Sequence, residues 1–389
     1  MYSVNKIIKD MDLKGKPNDH KVAVAMSGGV DSSVTAAILK ECGYNVIGLS
    51  MHLYEHKMEV NNKKTCCAGV DISDAKAVCD KLGIPHYILN YSSKFNKQVI
   101  SDFTESYLRG ETPIPCVRCN ETVKFVDMLE FAKKLGSDVL VTGHYIKRKV
   151  VNGIPQLFRA KDAKKDQSYF LFSTTLEQLK FLRFPLGNID KFQTRDLAKR
   201  YDLKVADKPD SQDICFVPEG NYSDLVRKLS PKAVDMGNII HVDGSLLGKH
   251  NGIIDYTIGQ RKGLKIGGRK GVPDNEAALY VIKINNINND VIVGPKEYLG
   301  CKEIEIRECN WITDNQNKFM NVLVKLRNTF DPVPAKIQIN FRKKTTKIYF
   351  QNLQYGISPG QAAVFYSEKD KNHVYGGGWI NKTLIPVLN

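Results

Sequence analysis

The first half of the chain alternates short apolar runs with stretches in which apolar residues recur at helical spacing. Four runs have the length and composition of strands, and the first of them is predicted to be buried: Lys21–Met26, Val46–Met51, His86–Asn90 and Asp138–Thr142. Helical spacing of apolar residues between and after them predicts helices at Val34–Cys42, residues 71–82 and Phe125–Leu135. Strands that alternate with helices imply right-handed crossovers, so the pattern predicts a parallel sheet covered on both faces.

The pattern changes beyond about residue 205. Residues 237–273 are rich in glycine and basic residues and have no sustained helical period, which indicates a small central domain. Beyond about residue 295 apolar and polar positions alternate, and this period predicts a small antiparallel β-barrel. We therefore expect an α/β protein in four parts: an N-terminal extension (1–20), a parallel-sheet domain (21–212), a central domain (213–294) and a C-terminal barrel (295–389).

Length and charge agree with this division. A chain of 389 residues is long for one hydrophobic core and suggests two or three domains. The formal net charge of +15 favours a polyanionic partner, nucleic acid above all, although a generally lysine-rich proteome gives the same balance. The predicted barrel is especially basic, because residues 320–350 contain seven Lys or Arg and a single Asp.

The sequence has no feature of a membrane or exported protein. No apolar run reaches the roughly 18 residues that a spanning helix needs. The opening 21 residues lack a long apolar segment and contain no Arg, so they resemble neither a signal peptide nor a transit peptide. Nine cysteines, an odd number spread over a long chain, do not predict a secreted disulfide framework. We expect a reducing, cytoplasmic location, where a cysteine pair is metal-binding or catalytic.

A glycine loop follows the first predicted strand. The stretch AMSGGVDSS, Ala25 to Ser33, lies between a strand and a helix, where backbone N–H groups and the helix dipole favour a phosphate. The Walker pattern and the dinucleotide pattern G-x-G-x-x-G are both absent. A tight turn with a serine cap is the simpler interpretation, but SGGVDSS resembles the pyrophosphate loop of the N-type ATP pyrophosphatases. The predicted nucleotide-binding residues are Ala25, Met26, Ser27, Gly28, Gly29, Val30, Asp31 and Ser32.

A second candidate site is the stretch TPIPCVRCNETVKF, in which Cys116 and Cys119 are three residues apart. This spacing is compatible with a metal knuckle, a redox couple or a nucleophile with a neighbouring thiol. A zinc knuckle is disfavoured because no second C-x-x-C or His pair supplies the remaining ligands. A further cysteine, Cys215, lies in the polar setting SQDICFV, which favours a functional thiol over a buried apolar filler.

Several blocks together resemble one family, the tRNA-specific 2-thiouridylases (MnmA). Besides the two loops above, they are VTGHY (141–145), DQSYFL (166–171), SQDICFV (211–217), GKHNGIIDYTIGQRKGL (248–264) and SPGQ (358–361). Their order and spacing match the family over nearly the whole chain from Lys21. The resemblance implies a three-domain enzyme that replaces the C2 oxygen of the wobble uridine of certain tRNAs with sulfur.

The chemistry implied by the resemblance accounts for the residue types. A uracil C2 oxygen cannot leave as oxide, so ATP adenylates it, and a cysteine persulfide then supplies nucleophilic sulfur. By the family pattern Cys215 carries the persulfide and Cys119 is its catalytic partner, leaving a disulfide that a reductant must clear. The implied cofactors are ATP and Mg²⁺, the latter in contact with Asp31. The implied partners are a tRNA and a protein that donates persulfide sulfur, a cysteine desulfurase or a relay protein.

The resemblance also assigns binding residues. Met51, at the end of the second strand, and Gly143 fall at positions that contact the adenine or ribose. The tRNA-contacting positions are Ile114, Pro115, Cys116, His144, Lys165, Asp166, Gln167, Arg327, Asn328 and Gln361. Ile114 departs from the expected pattern, since many members have Asn there, and the position of Cys116 is either Asp or Cys in many members.

Other interpretations remain open at this stage. Three thiols, Cys116, Cys119 and Cys215, are sufficient ligands for a [4Fe-4S] cluster with one open position, as in some related tRNA thiolases. Other adenylating enzymes of the superfamily, such as lysidine or argininosuccinate synthetases, need neither Cys119 nor Cys215. A non-enzymatic RNA-binding protein with a relict nucleotide loop is a further alternative. Cys66 and Cys67 are interpreted as a structural loop pair, and the other four cysteines as fillers of apolar faces.

Overall fold

The computed structural model describes residues 2–53, 69–210, 214–217, 222–231, 235–264, 266, 278–313 and 317–384. Among these residues no helix is both long enough and apolar enough to cross a membrane. Three sheets organise the chain: a five-stranded parallel sheet, a four-stranded sheet and an eight-stranded sheet that includes a closed barrel.

The first part of the chain forms the parallel sheet and a hairpin. Its strands are β1 (Lys21–Ala25), β2 (Asn45–His52), β3 (His86–Asn90), β4 (Val139–Val141), β5 (Ile146–Val151), β6 (Ile154–Arg159) and β7 (Leu182–Arg183). The sheet order is β3-β2-β1-β4-β7, with every neighbouring pair parallel. The predicted parallel sheet is confirmed, and the carboxyl ends of its strands lie at one edge, beside the glycine loop.

The helices of the described chain are α1 (Val4–Met11), α2 (Val30–Glu41), α3 (Gly69–Leu82), α4 (Ser92–Phe95), α5 (Ser101–Leu108), α6 (Pro115–Cys119), α7 (Leu129–Lys134), α8 (Leu176–Phe181), α9 (Lys191–Arg200) and α10 (Tyr222–Leu229). Helix α4 continues into α5 through the π-helical turn Asn96–Ile100, and α6 continues into α7 through Asn120–Met128. Short 3₁₀ turns lie at Pro17–Asp19, Ser168–Phe170, Pro185–Asn188, Ile253–Asp255 and Lys296–Leu299.

The parallel sheet has an apolar core on each face. One core includes β1, α2 and α9, and the other includes the α7 region and the segment 169–172. The N-terminal residues 1–20 were expected to be an extension, but α1 buries Ile7 and Met11 in the first of these cores. Their i, i+4 spacing puts both side chains on one face of α1, and that face packs on the domain.

A small sheet follows α10. Its strands are β8 (Gly237–His241), β9 (Leu246–His250), β10 (Tyr280–Asn285) and β11 (Asp290–Gly294), in the order β10-β11-β8-β9. Its core contains Ile239, Val281, Val291 and Val293.

The last part of the chain is the antiparallel barrel that the alternating pattern predicts. Its strands are β12 (Gly300–Trp311), β13 (Phe319–Lys325), β14 (Val333–Asn340), β15 (Thr345–Tyr355), β16 (Ala362–Tyr366) and β17 (His373–Leu384). They pair in the order β12-β15-β14-β13-β16-β17, and β12 pairs with β17 to close the barrel. The hairpin β5–β6 continues this sheet, because β6 pairs with β17 through Phe158 and His373. Barrel and parallel-sheet domain are therefore joined by backbone hydrogen bonds.

Candidate active site

The glycine loop forms a cradle at the N-terminus of α2. Gly28 has φ +71°, and a Cβ there would lie 2.1 Å from the carbonyl oxygen of Asp71 in α3, so only glycine fits. The hydroxyls of Ser32 and Ser33 donate to the Gly29 carbonyl at 3.2 and 2.8 Å and hold the first turn of the helix. The predicted strand–loop–helix context is thus present, with the helix N-terminus at the carboxyl edge of the sheet.

Gly143 and Met51 lie at the same edge. A Cβ at Gly143 would lie 2.8 Å from the backbone carbon of Asp31 and 2.9 Å from the nitrogen of Ser32, so the missing side chain lets α2 approach the end of β4. Met51 is half-buried near the end of β2. Both residues predicted to touch the adenine or ribose therefore lie at the edge of the sheet that the loop occupies.

A chain of opposite charges begins at Asp31. Its Oδ1 accepts hydrogen bonds from the Tyr145 hydroxyl at 2.9 Å and from Lys191 Nζ at 2.7 Å. Lys191, at the start of α9, also contacts Asp210 at 2.8 Å, and Asp210 accepts from Lys165 at 2.7 Å. Although burial opposes it, the hydrogen bonds from Lys165 and Lys191 lower the pKa of Asp210 to about 2. The sequence offered Asp31 no neighbouring cation, and the fold supplies one from 160 residues away.

A second cation, Lys208, lies behind the loop. Its Nζ donates to the Gly28 carbonyl at 3.1 Å and contacts Asp71 and Asp74 at 2.5 and 2.6 Å. Burial disfavours this charge, but the hydrogen bonds that Lys208 donates to the two carboxylates raise its pKa above the ordinary value. Sequence reasoning missed Lys208 and Asp210, although KPD directly precedes the SQDICFV block. The sequence signal for Lys191 was weaker: it is the first residue of a helix that Asp190 caps.

The fold brings Cys119 and Cys215 to one apolar cluster. Cys119, at the end of α6, is 7% exposed and is buried together with Leu53, Phe95, Val99 and Val123. Cys215 is half-buried and packs against the same cluster, as do Phe216 and Met51. Two thiols 96 residues apart in sequence are therefore neighbours of the same side chains. Met51 links this cluster to the edge of the sheet where the glycine loop lies.

Cys116 has a different environment. It lies on α6, one turn before Cys119, and is exposed. Within the described parts of the chain, no group of three or more His, Cys, Asp or Glu is arranged to hold a metal ion. The described positions of Cys116, Cys119 and Cys215 therefore do not fit a three-thiol cluster site. Cys66 and Cys67, predicted to be structural, and Ser211–Asp213 of the SQDICFV block lie outside the described residues.

The three consecutive residues predicted to contact tRNA point in different directions. Lys165 is half-exposed and pairs with Asp210. Asp166 is only 1% exposed and accepts from Arg159, from the Ala160 nitrogen and from the Ser168 hydroxyl. Gln167 accepts from the Tyr145 nitrogen at 2.8 Å. Asp166 is thus an interior carboxylate that organises the segment carrying Lys165 and Gln167.

The same segment connects to the other predicted tRNA positions. The Tyr169 hydroxyl donates to the Leu326 and Ala362 carbonyls at 3.3 and 3.1 Å, next to Arg327 and Gln361 in sequence. Gln361 itself donates to the Thr112 carbonyl at 2.8 Å, just before Ile114. Arg327 donates to the Gly356 carbonyl, and Asn328 beside it is exposed. Ile114 and Pro115 are buried at the start of α6.

His144 lies between aromatic rings. It is bonded to the Thr142 hydroxyl at 2.7 Å and lies edge-on to Phe125 and Phe184. Burial, assisted by the charge of Lys124, lowers the pKa of His144 to about 3. The imidazole is therefore neutral at physiological pH, and it offers a hydrogen bond rather than a charge.

A cavity of about 390 Å³ lies between the segment that leads into α6, the segment around Ile254 and Thr257, and the barrel. Its lining includes Thr112 and Pro113, which precede α6, and Ile214, which is next to Cys215. Thr257, which follows the 3₁₀ turn Ile253–Asp255, and Gln361 of the barrel also line it. Its volume falls within the range of small-ligand pockets. The cavity adjoins the segments that carry both cysteines.

Comparison with known proteins identifies the family of the chain. Family models match residues 20–219 (tRNA methyl transferase HUP domain), 224–295 (tRNA methyl transferase PRC-barrel domain) and 301–380 (aminomethyltransferase beta-barrel domain). The tRNA-specific 2-thiouridylase MnmA of Rhodospirillum centenum is 52% identical over 366 residues, covering 94% of this chain and 92% of the relative. That of Rickettsia massiliae is 51% identical over 365 residues, covering 93% and 97%. The chain belongs to the MnmA family.

Family membership confirms the resemblance found in the sequence blocks. Among solved structures, the U34-tRNA thiolase NcsA from Methanococcus maripaludis with its [4Fe-4S] cluster aligns with 59% of this chain and 70% of its own. The sequence identity is 18% and the TM-score 0.36, a likeness too low to bear on the chemistry.

The thiols of this MnmA-family chain are expected to differ in reactivity. Burial raises the pKa of Cys42, Cys79, Cys301 and Cys309 to about 12, so at pH 8 only about one in 10⁴ of each is thiolate. Brief iodoacetamide treatment of the native protein, read out by peptide mass spectrometry, should label exposed Cys116 and leave these four unmodified. Labelling in guanidinium chloride is the control, and early native labelling of any of the four contradicts the assignment.

Proposed function

We propose that the protein adenylates the C2 oxygen of the wobble uridine in tRNA with ATP and replaces that oxygen with persulfide sulfur. The observation that carries this proposal is the packing of Cys119, Cys215 and Met51 around one apolar cluster beside the glycine loop. An adenylating enzyme without sulfur chemistry needs the loop but not the two thiols. Methyl transfer, the activity named in two of the family-model descriptions, needs neither.

The glycine loop is proposed to bind the ATP phosphates. Backbone N–H groups at the start of α2 and the helix dipole attract the anion, and Gly28 lets the backbone of α3 pack closely behind the loop. Lys191 and Lys208 provide positive charge on either side of the loop. The Asp31 carboxylate, an oxygen donor beside this cradle, suits a magnesium ion, which would neutralise phosphate charge as pyrophosphate leaves.

The sulfur steps are proposed to use both cysteines. Uridine O2 attacks the α-phosphate of ATP and releases pyrophosphate, so that AMP becomes the leaving group on C2. The terminal sulfur of the Cys215 persulfide forms a bond to C2, and the bond from C2 to the AMP oxygen breaks. The Cys119 thiolate then attacks the Cys215 sulfur and releases 2-thiouridine. The two thiols supply the two electrons that reduce the transferred sulfur, and the resulting disulfide requires a reductant.

An alternative order uses the same groups. Cys119 attacks the persulfide first and releases sulfide, which then attacks the adenylated C2. A persulfide-carrying protein is the proposed source of sulfur in either order. No step is assigned to an iron–sulfur cluster, because the described thiols do not group as cluster ligands.

The wobble nucleotide is proposed to enter the cavity between the three units, which we assign as residues 21–212, 213–294 and 295–389. Lys165, Gln167, Arg327, Asn328 and Gln361 are proposed to contact the tRNA. Asp166 is proposed to act by positioning Lys165 and Gln167, since its carboxylate faces the interior. The net charge of +15 supports recruitment of so large a polyanion.

The proposal is tested by assaying purified protein with ATP, Mg²⁺, unmodified tRNA and a persulfide donor. Digestion of the tRNA and mass spectrometry should show uridine in which one oxygen is replaced by sulfur, with one AMP and one pyrophosphate released per sulfur. Pyrophosphate release without sulfur incorporation would support another adenylating enzyme. Binding of tRNA without pyrophosphate release would support a non-enzymatic RNA-binding protein.

A further inference from the structure

Cys119 lies near the start of a continuous helical segment, in which α6 passes through the π-helical stretch Asn120–Met128 into α7. The backbone hydrogen-bond pattern changes from α-helical to π-helical directly after Cys119. The first turn of a helix has N–H groups without intrahelical partners, so its position also depends on contacts with the surroundings. The contacts that α6 makes therefore help to set the orientation of Cys119.

The barrel holds the segment that leads into α6. The Thr112 nitrogen donates to the Pro359 carbonyl at 2.8 Å, and the hydroxyls of Thr112 and Ser358 are 2.8 Å apart. Arg307 of β12 donates both terminal nitrogens to the carboxylate of Glu111, at 3.1 and 3.0 Å. The entry to the helix is thus fastened to the barrel through backbone, hydroxyl and charged groups.

Arg118, one residue before Cys119, connects α6 directly to the barrel. Its guanidinium carbon lies 4.5 Å from the centre of the Trp379 ring, and Nη1 donates to Glu308 at 2.6 Å; both partners belong to the barrel. Nη1 also contacts Glu121 at 3.1 Å, and Nε lies 3.4 Å from Asp102 of α5. The side chain is 17% exposed. Three carboxylates and an aromatic ring therefore hold one planar cation, an arrangement that lysine cannot reproduce.

The barrel strand is deformed at this contact. Glu308 has φ +52°, the left-handed region that non-glycine residues rarely adopt, and the pairing of β12 with β17 shifts register between Arg307 and Asn310. The neighbouring residues Arg307 and Glu308 both contact the segment 111–118, the first through Glu111 and the second through Arg118. A strained bulge whose two consecutive charged side chains both contact the segment 111–118 is typical of a functional constraint.

We propose that Arg118 is a positioning residue that fixes the Cys119 thiol for the sulfur-transfer step. The inference rests on the proposed function, in which Cys119 resolves the Cys215 persulfide. The phosphate loop is held separately, by Lys191 of α9 and by Lys208 with Asp71 of α3. Loosening α6 therefore impairs sulfur transfer and spares adenylation.

The test compares Arg118→Met, Arg118→Lys and a matched control, Arg148→Met. Arg148 is more deeply buried than Arg118, with 6% of its side chain exposed; it pairs with Asp12 at 3.0 Å and lies on β5. Each variant is assayed for 2-thiouridine formation, for tRNA-dependent exchange of pyrophosphate into ATP, for the KM of tRNA and for thermal stability. Arg118→Met should lower the kcat of thiolation by about 10- to 100-fold, with exchange and KM changed about twofold at most. Arg118→Lys should recover part of the loss.

The outcomes separate this inference from the proposed function. Equal losses of thiolation and exchange in Arg118→Met, or the same pattern in Arg148→Met, would mean a merely structural role and overturn the inference. Wild-type thiolation in Arg118→Met would overturn it as well. A Cys119→Ser variant assayed in parallel tests the proposed function itself. If that variant remains active, the proposed function fails whatever the Arg118 variants do.

Discussion

Replacing Cys119 by Ser is expected to abolish multiple-turnover formation of 2-thiouridine, with a loss of about 10³-fold or more, while tRNA-dependent pyrophosphate exchange continues. A serine hydroxyl cannot attack the Cys215 sulfur and form a disulfide with it, so 2-thiouridine is not released. Cys215→Ser should show the same loss because it removes the sulfur carrier. The measurement is nucleoside mass spectrometry alongside an exchange assay with labelled pyrophosphate.

The Cys119 variant also distinguishes the two orders of reaction. If the persulfide attacks C2 first, Cys119→Ser leaves the tRNA joined to Cys215 through two sulfurs. That adduct should be visible on a denaturing gel, and dithiothreitol should cleave it to give 2-thiouridine. If sulfide is released first, no adduct forms. Cys215→Ser cannot form it in either case and is the negative control.

Two further variants define what would contradict the mechanism. Cys301→Ala removes a buried thiol of the barrel and controls for general effects of losing a cysteine. Cys116→Ser removes the exposed thiol one turn from Cys119. Full thiolation by Cys119→Ser would exclude the persulfide scheme. Loss of activity in Cys116→Ser as complete as in the other two, together with bound iron in the wild type, would restore the cluster interpretation.

Much of the fold follows from local patterns in the sequence. Strands β1, β2 and β4 are largely buried apolar runs, and the alternation in β14 comes from a barrel strand with one face in the core. The edge strand β3 is largely exposed, and β13 is buried at four consecutive positions. The hairpin β5–β6 was not predicted, because its sequence IKRKVV does not alternate. Its pairing with β17 is a tertiary contact between residues more than 200 positions apart, and such contacts leave no local pattern.

The site was predictable to a different extent. The glycine loop was predicted from its place between a strand and a helix together with the resemblance of SGGVDSS to a pyrophosphate loop, and both signals reside in consecutive residues. The association of Cys119 with Cys215 came only from the family resemblance, because nothing in the spacing relates two cysteines in separate segments. The ion pair of Asp31 with Lys191 was missed for the same physical reason, since the fold brings together two residues with unrelated local sequences.

Replacing Gly28 by Ala is expected to disrupt the loop that is proposed to bind the ATP phosphates and so to prevent adenylation. The new Cβ would lie 2.1 Å from the Asp71 carbonyl oxygen, and φ +71° adds strain for any residue with a side chain. The left-handed conformation alone costs about 1–2 kcal/mol, and displacing the first turn of α3 should bring the loss of unfolding free energy to about 2–4 kcal/mol. The shift also disturbs Lys208, which bonds both Asp71 and the Gly28 carbonyl.

The neighbouring glycine supplies a matched comparison for this last prediction. Gly29 has φ −92°, and among the described residues a Cβ there would meet the Ser27 hydroxyl at 3.4 Å, an ordinary contact. Pyrophosphate exchange should therefore fall by about 100-fold or more in Gly28→Ala and by about tenfold at most in Gly29→Ala, with the stability of the latter changed by about 0.5 kcal/mol. Chemical unfolding and exchange assays measure both effects. Wild-type exchange in Gly28→Ala would mean that the ATP phosphates bind elsewhere, because a backbone displaced around Gly28 cannot keep the same cradle.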